Sequence, residues 1–179
     1  MVNTDRLCPG CMKDNGGEPV CSLCGWDSAQ NNASDKLPVK FVVRDRYIVG
    51  KVLYSDTESV IYLGFDCIEN KTVNIKEYFP VGLAQRNPDN TVFAAREAQF
   101  AFNEGLLDFI ETNKRFIEFP LASLPANYSV FEENSTAYTI CESFTGITLK
   151  EFIDRNGGVL KWEQVRPLFL PLIDSLPRV

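Results

Sequence analysis

The 179-residue sequence contains no histidine. That absence removes every imidazole base, Ser-His-Asp and Cys-His nucleophile pairs, and His-ligated metal sites of the HExxH type. Long apolar runs are missing too. Nothing approaches the 18 consecutive apolar residues of a membrane span, so no membrane contact is expected from this chain. The opening "MVNTDRL" lacks a basic stretch followed by an apolar one, so no secretory leader is visible and a cytoplasmic location is expected. The four Asn-x-Ser/Thr sequons, at Asn32, Asn70, Asn127 and Asn134, then read as chance matches. Cations are in deficit: 18 Lys and Arg stand against 24 Asp and Glu, for a net charge of −6. A nucleic-acid partner is not expected, because tracking a phosphate backbone needs clustered cations. What remains for chemistry is lysine, carboxylates and thiols.

The thiols are patterned. Four of the six cysteines fall in "CPGCMKDNGGEPVCSLCGWD", as two C-x-x-C pairs: Cys8 with Cys11, and Cys21 with Cys24. Each C-x-x-C turn aims two thiolates at one point, and two such turns build a tetrahedral S4 site. So short a segment cannot fold on an apolar core, and metal binding would supply its stability. The spacing predicts a structural zinc ribbon over residues 1–28, with all four coordination positions taken by protein. Two disulfides or a redox pair are the alternatives. Cys67 and Cys141 stand alone in apolar strand patterns and read as buried free thiols.

Residues 29–39, within the polar stretch "DSAQNNASDKLPV", read as a linker. Beyond it, "RYIVGKVLY", "SVIYLGFD" and "TVNIKEYF" alternate apolar with polar residues and are rich in β-branched and aromatic side chains. They predict a three-stranded antiparallel meander. "VGLAQRNPDN" reads as a loop. The stretch "VFAAREAQFAFNEGLLDFIETNKRFIEF" has helical spacing through Phe102, Leu106, Phe109 and Phe116, with Gly105 as a possible break. "ANYSVFEENSTAYTICESF" predicts a second hairpin turning at Glu132–Ser135. "TLKEFIDRNGG" predicts a short helix stopped by Gly157-Gly158. A last apolar helix carries Pro167 and Pro171, which should kink it.

This order, with "NIKEYFP" in the third strand, resembles the N-terminal lobe of bacterial Ser/Thr-type protein kinases that carry a KEYFP sequence. "YLGFDCIENKTVNIKEYFPVGLAQR" and "VFEENSTAYTICESFTGITLKEFI" are similar to that family. The resemblance covers about residues 41–179 and implies an α+β fold: a five-stranded antiparallel sheet plus helix over residues 40–144, then the first helices of a C-lobe over 145–179. It places Lys76 at the lysine of the family's VAIK, which contacts ATP phosphates and pairs with a helix glutamate. It places the backbone of Glu142, Ser143 and Phe144 at the adenine-facing hinge, with Cys141 as gatekeeper.

Three departures stand out. The positions of the family's three loop glycines are Tyr54, Asp56 and Ser59, in a turn that also carries Glu58. A carboxylate about 6 Å from a phosphate charge costs about 3 kcal/mol at an effective dielectric of about 20. The helix glutamate falls on Thr112, with Glu111 one residue earlier. No HRD or DFG segment occurs. The resemblance therefore implies a pseudokinase switch or scaffold with weak or no ATP binding, the sequence being an N-terminal fragment. The alternatives are the ATP-binding lobe of an active kinase, with ATP and Mg as its cofactors, and a zinc-ribbon adaptor for protein partners. "LFLPLI", at 168–173, is an apolar face through which self-association is plausible.

Overall fold

The computed structural model describes residues 4–121, 124–144 and 146–175. After a 3-10 turn at Thr4–Arg6, the elements are β1 (Val42–Val43), β2 (Tyr47–Ser55), β3 (Ser59–Asp66), β4 (Lys71–Tyr78), β5 (Ala84–Arg86) and β6 (Val92–Ala94). They continue with α1 (Gln99–Glu118), β7 (Asn127–Glu133), β8 (Thr136–Glu142), α2 (Leu149–Arg155) and α3 (Trp162–Ser175).

The main sheet is antiparallel throughout, in the order β1-β2-β3-β4-β8-β7. The meander and the second hairpin form as the alternation predicts. The sheet has six strands where five were expected, because Val42 and Val43 pair with Ile48 and Tyr47 along the outer edge of β2. The β7–β8 turn is tighter than expected. Only Asn134 and Ser135 lie outside the strands, both with positive φ, as a two-residue hairpin turn requires.

β4 is the axis of the sheet. It pairs with β3 on one side and β8 on the other, with Lys76 opposite Ile61 and Thr139. Its two faces separate by the two-residue period of a strand. Tyr78 on one face meets the rings of Phe102 and Phe109 from α1, at centroid distances of 5.3 and 5.5 Å. The other face carries Val73, Ile75 and Glu77, all fully buried.

Two segments depart from expectation. "VGLAQRNPDN" is not a plain loop: Ala84–Arg86 and Val92–Ala94 pair as a small hairpin. And α1 runs unbroken through Gly105. A Cβ there would collide with the Tyr78 hydroxyl, so this glycine lets the helix approach the sheet rather than breaking it. Pro167 and Pro171 both lie inside α3, as expected from the sequence. Residues 176–179, the end of the expected C-lobe segment, lie outside the described residues.

The 29–39 stretch, expected as a linker, packs against the sheet. Leu37 is fully buried in the main core. The Asn32 amide donates to the Leu37 and Gly50 carbonyls, and its oxygen accepts from the Val52 N–H. Among the described residues no helix is long and apolar enough to cross a membrane.

Candidate metal centre and cleft

The four patterned cysteines converge. Their sulfurs all lie within 4.8 Å of one another, with Cys8–Cys24 at 3.6 Å and Cys11–Cys21 at 3.9 Å. A tetrahedron with metal–sulfur bonds of about 2.3 Å has sulfur–sulfur edges of about 3.8 Å, so the arrangement fits a zinc-sized ion. The Gly10 N–H donates to the Cys8 sulfur at 3.3 Å, the kind of contact that steadies a thiolate. The thiols are not equivalent. Burial pushes Cys8 up to about 12. Burial opposes ionisation of Cys21 too, but the Leu23 and Cys24 backbone N–H groups outweigh it and bring that thiol down to about 7. Bound metal would hold all four as thiolates.

The first knuckle is fastened to the sheet. β2 shifts register between Val49 and Val52, and the Lys51 N–H released there donates to the Pro9 carbonyl at 3.0 Å. Leu7 and Met12 pack with Ile48, Leu63 and Phe65 in a second apolar cluster. Gly50 makes this close approach possible. A Cβ at that position would run into the Met12 methyl and would lie 2.6 Å from the Pro9 carbonyl oxygen.

On the α1 side of the sheet is a cleft of about 480 Å³. β2 and β3 form its roof with Leu53, Tyr54 and Ile61. β4 contributes Asn74 and Lys76, and the end of β8 contributes Cys141. Of the expected nucleotide-site residues, Lys76, Tyr54 and Phe144 line this cleft, whereas Glu142, Ser143, Asp56 and Ser59 do not.

The expected partner of Lys76 is replaced. α1 turns Phe109, Ile110 and Asn113 inward, while Glu111, Thr112 and Glu104 are exposed. The resemblance puts Thr112 at the glutamate position. The helix instead presents the Phe109 ring to Lys76, with Nζ 5.4 Å from its centroid. Among the described residues Lys76 makes no salt bridge. Asn113 is spent within the protein, donating to the Phe109 carbonyl and accepting from Asn127.

The glycine-free turn explains its own acidity. Asp56 Oδ1 accepts from the Glu58 and Ser59 N–H groups at 2.8 and 2.7 Å and from the Ser59 hydroxyl at 3.1 Å. An aspartate thus closes a turn that uses no positive-φ residue. Burial opposes its ionisation. The backbone N–H groups, the Ser59 hydroxyl and the charge of Lys76 together hold the Asp56 carboxyl below its ordinary range. The tip is pinned as well: the Phe79 N–H donates to the Glu58 carbonyl and the Val81 N–H to the Thr57 carbonyl, both at 2.9 Å.

At the expected hinge, the Glu142 N–H is paired with the Ala126 carbonyl at 2.8 Å. Cys141 is part-buried beside the cleft, with its thiol pushed up to about 11 by burial. Cys67, expected to be buried, is exposed. It begins the β3–β4 turn rather than lying within a strand.

Sequence reasoning missed the network behind Lys76. Glu77 is fully buried and accepts from the Tyr62 hydroxyl at 2.7 Å, the Tyr138 hydroxyl at 3.0 Å and Arg86 Nη2 at 2.7 Å. Arg86 goes on to the Asn90 and Asp35 carbonyls. The network joins β3, β4, β8, the small hairpin and the 29–39 segment. It fixes β4 at the residue beside Lys76.

No family model matches the chain, and no curated protein does. Among solved structures the chain is similar to the apo form of PpkA-294, a bacterial Ser/Thr kinase, with a TM-score of 0.73 and 25% identity over 82% of this chain. The match covers 52% of that chain, so this sequence spans about half of its length. The fold is kinase-like.

Proposed function

We propose that this chain is the lobe of a kinase-fold switch or scaffold, carrying a structural metal in its ribbon, whose cleft holds Mg-ATP weakly or not at all. The observation that carries this reading is the Phe109 ring where a helix carboxylate would meet Lys76. In active protein kinases that ion pair and the metal-binding aspartate must both be in place. The glycine-free turn supports the same reading, since its Glu58 and Ser59 N–H groups, donors of the kind a phosphate would need, are committed to the Asp56 carboxylate. The sequence has no HRD or DFG segment, so catalysis would draw on residues outside it. A scaffold needs partner surfaces, and we assign one to the exposed α3 residues within 168–173, through which copies of the chain would associate.

A second reading, the ATP-binding lobe of an active kinase, is favoured by one observation: Lys76 does line a nucleotide-sized cleft. Calorimetric titration with Mg-ATP, beside a Lys76→Ala control, separates the two. The switch or scaffold reading expects no saturable heat below millimolar nucleotide. Micromolar binding that Lys76→Ala abolishes would replace it with the kinase reading.

A further inference from the structure

Among the described residues, one buried polar side-chain atom at the cleft has no hydrogen-bond partner. Asn74 is 5% exposed, lines the cleft, and its Oδ1 is buried without a hydrogen-bond partner. A buried acceptor left unmade is costly, and native structures fill such positions with a partner. The other two amides lining the cleft are engaged: Asn127 donates to Asn113, which in turn donates to the Phe109 carbonyl. Two residues along the same strand face is Lys76, the only cation among the described residues that line the cleft. The two side chains leave β4 roughly 7 Å apart at the rise of an extended strand. Around them the lining is apolar and aromatic, with Leu53, Tyr54, Ile61, Phe116 and Phe144.

A ligand that fits this pair carries a hydrogen-bond donor for Asn74, a single negative charge for Lys76, and a flat apolar body between them. A triphosphate does not fit it. Its charge would meet one lysine, with the Asp56 carboxylate close enough for the two charges to interact. We propose that the cleft is a binding site for small aromatic monocarboxylates whose ring bears an N–H or O–H donor, read by Asn74 and Lys76. This rests on the reading of the cleft as a poor nucleotide site and gives that site a ligand class of its own.

The test uses the zinc-loaded chain and indole-3-propionate as probe, because its ring N–H and carboxylate lie at opposite ends of a planar body. Calorimetry is run on the unaltered protein, Asn74→Leu and Lys76→Met, with the N-methylindole analogue as second ligand. Thermal melts establish that each variant folds. The expected results are saturable binding, at least tenfold weaker binding in each variant, and a tenfold loss on N-methylation that disappears in Asn74→Leu. Three results would overturn the proposal: no binding to the unaltered protein, equal binding of the two ligands to it, or indifference to either substitution. Mg-ATP titrated in parallel keeps the two readings apart. Tight nucleotide binding contradicts the switch or scaffold reading and leaves the probe result standing. Silence from both ligands removes the carboxylate site and leaves the switch or scaffold reading intact.

Discussion

Removing Arg86 tests how Lys76 is held. The Arg86 side chain is 2% exposed and that of Glu77 is fully buried, with 2.7 Å between them. Burial alone would lower the Arg86 pKa, but the neighbouring Glu77 carboxylate outweighs it and raises it. In Arg86→Met the carboxylate keeps its two tyrosine hydroxyls and loses the one cation paired with it among the described residues. Breaking one side of a buried pair costs about 3–5 kcal/mol, because the remaining charge is left uncompensated. Domains of this size have only about 5–15 kcal/mol to lose. With a urea slope of about 2 kcal/mol per molar, the unfolding midpoint should fall by roughly 2 M. Adding Glu77→Gln removes the stranded charge while keeping an acceptor for a tyrosine. The double variant should therefore be at least about 1 kcal/mol more stable than the sum of the single losses requires. A midpoint shift in Arg86→Met worth under about 1 kcal/mol would refute the reasoning. So would strict additivity in the cycle.

Three further outcomes are expected. Zinc should bind at one ion per chain, and Cys11→Ser should lower retention through gel filtration and the melting temperature together, read by atomic absorption and calorimetry. Gly50→Ala should destabilise by about 1–3 kcal/mol, because the new methyl meets the Pro9 and Leu63 carbonyl oxygens, at 2.6 and 2.9 Å, and backbone cannot turn aside; urea unfolding reads it. Asp66 is 2% exposed; burial opposes its charge, yet the Arg46 fork at 2.9 and 2.8 Å and two backbone N–H groups hold its carboxyl below the ordinary range. Its folded value lies below the unfolded value of about 3.9, so its contribution is complete above about pH 4 and lost as pH falls through the folded value. Asp66→Asn should cost about 2 kcal/mol at pH 7 and flatten the acid limb of the stability curve.

The parts legible in the sequence were those with a strong local signal. The C-x-x-C pairs placed four sulfurs together because metal spacing is set by short turns. The meander and the β7–β8 hairpin followed from two-residue alternation. What stayed hidden depends on contacts between distant segments. Gly105 reads locally as a helix breaker, and only the Tyr78 hydroxyl beside it shows a packing role. Arg86 sits among turn residues, and nothing local says that its partner is Glu77. Asn32 reads as linker, yet it makes two hydrogen bonds to β2 and a third to the Leu37 carbonyl. At the cleft, sequence gave the departures at Tyr54, Asp56, Ser59 and Thr112 but not their consequence. The resemblance puts the glutamate position at Thr112, yet helix rotation brings Phe109 and Asn113 inward. Asp56 reads as an acid in a solvated hairpin turn, ill suited to phosphate, and its carboxylate turns back to close that loop.

Residue-resolved hydrogen exchange, with and without Mg-ATP well below millimolar, tests the central claim most directly. The Phe79 and Val81 amides report the pinned turn, and those of Glu58 and Ser59 report its closure by Asp56. A cleft that does not engage nucleotide leaves all four protected to the same degree in both samples. New protection spreading over residues 53–61 and around Lys76 on adding Mg-ATP would contradict the account, because it would show the turn re-forming over bound phosphate.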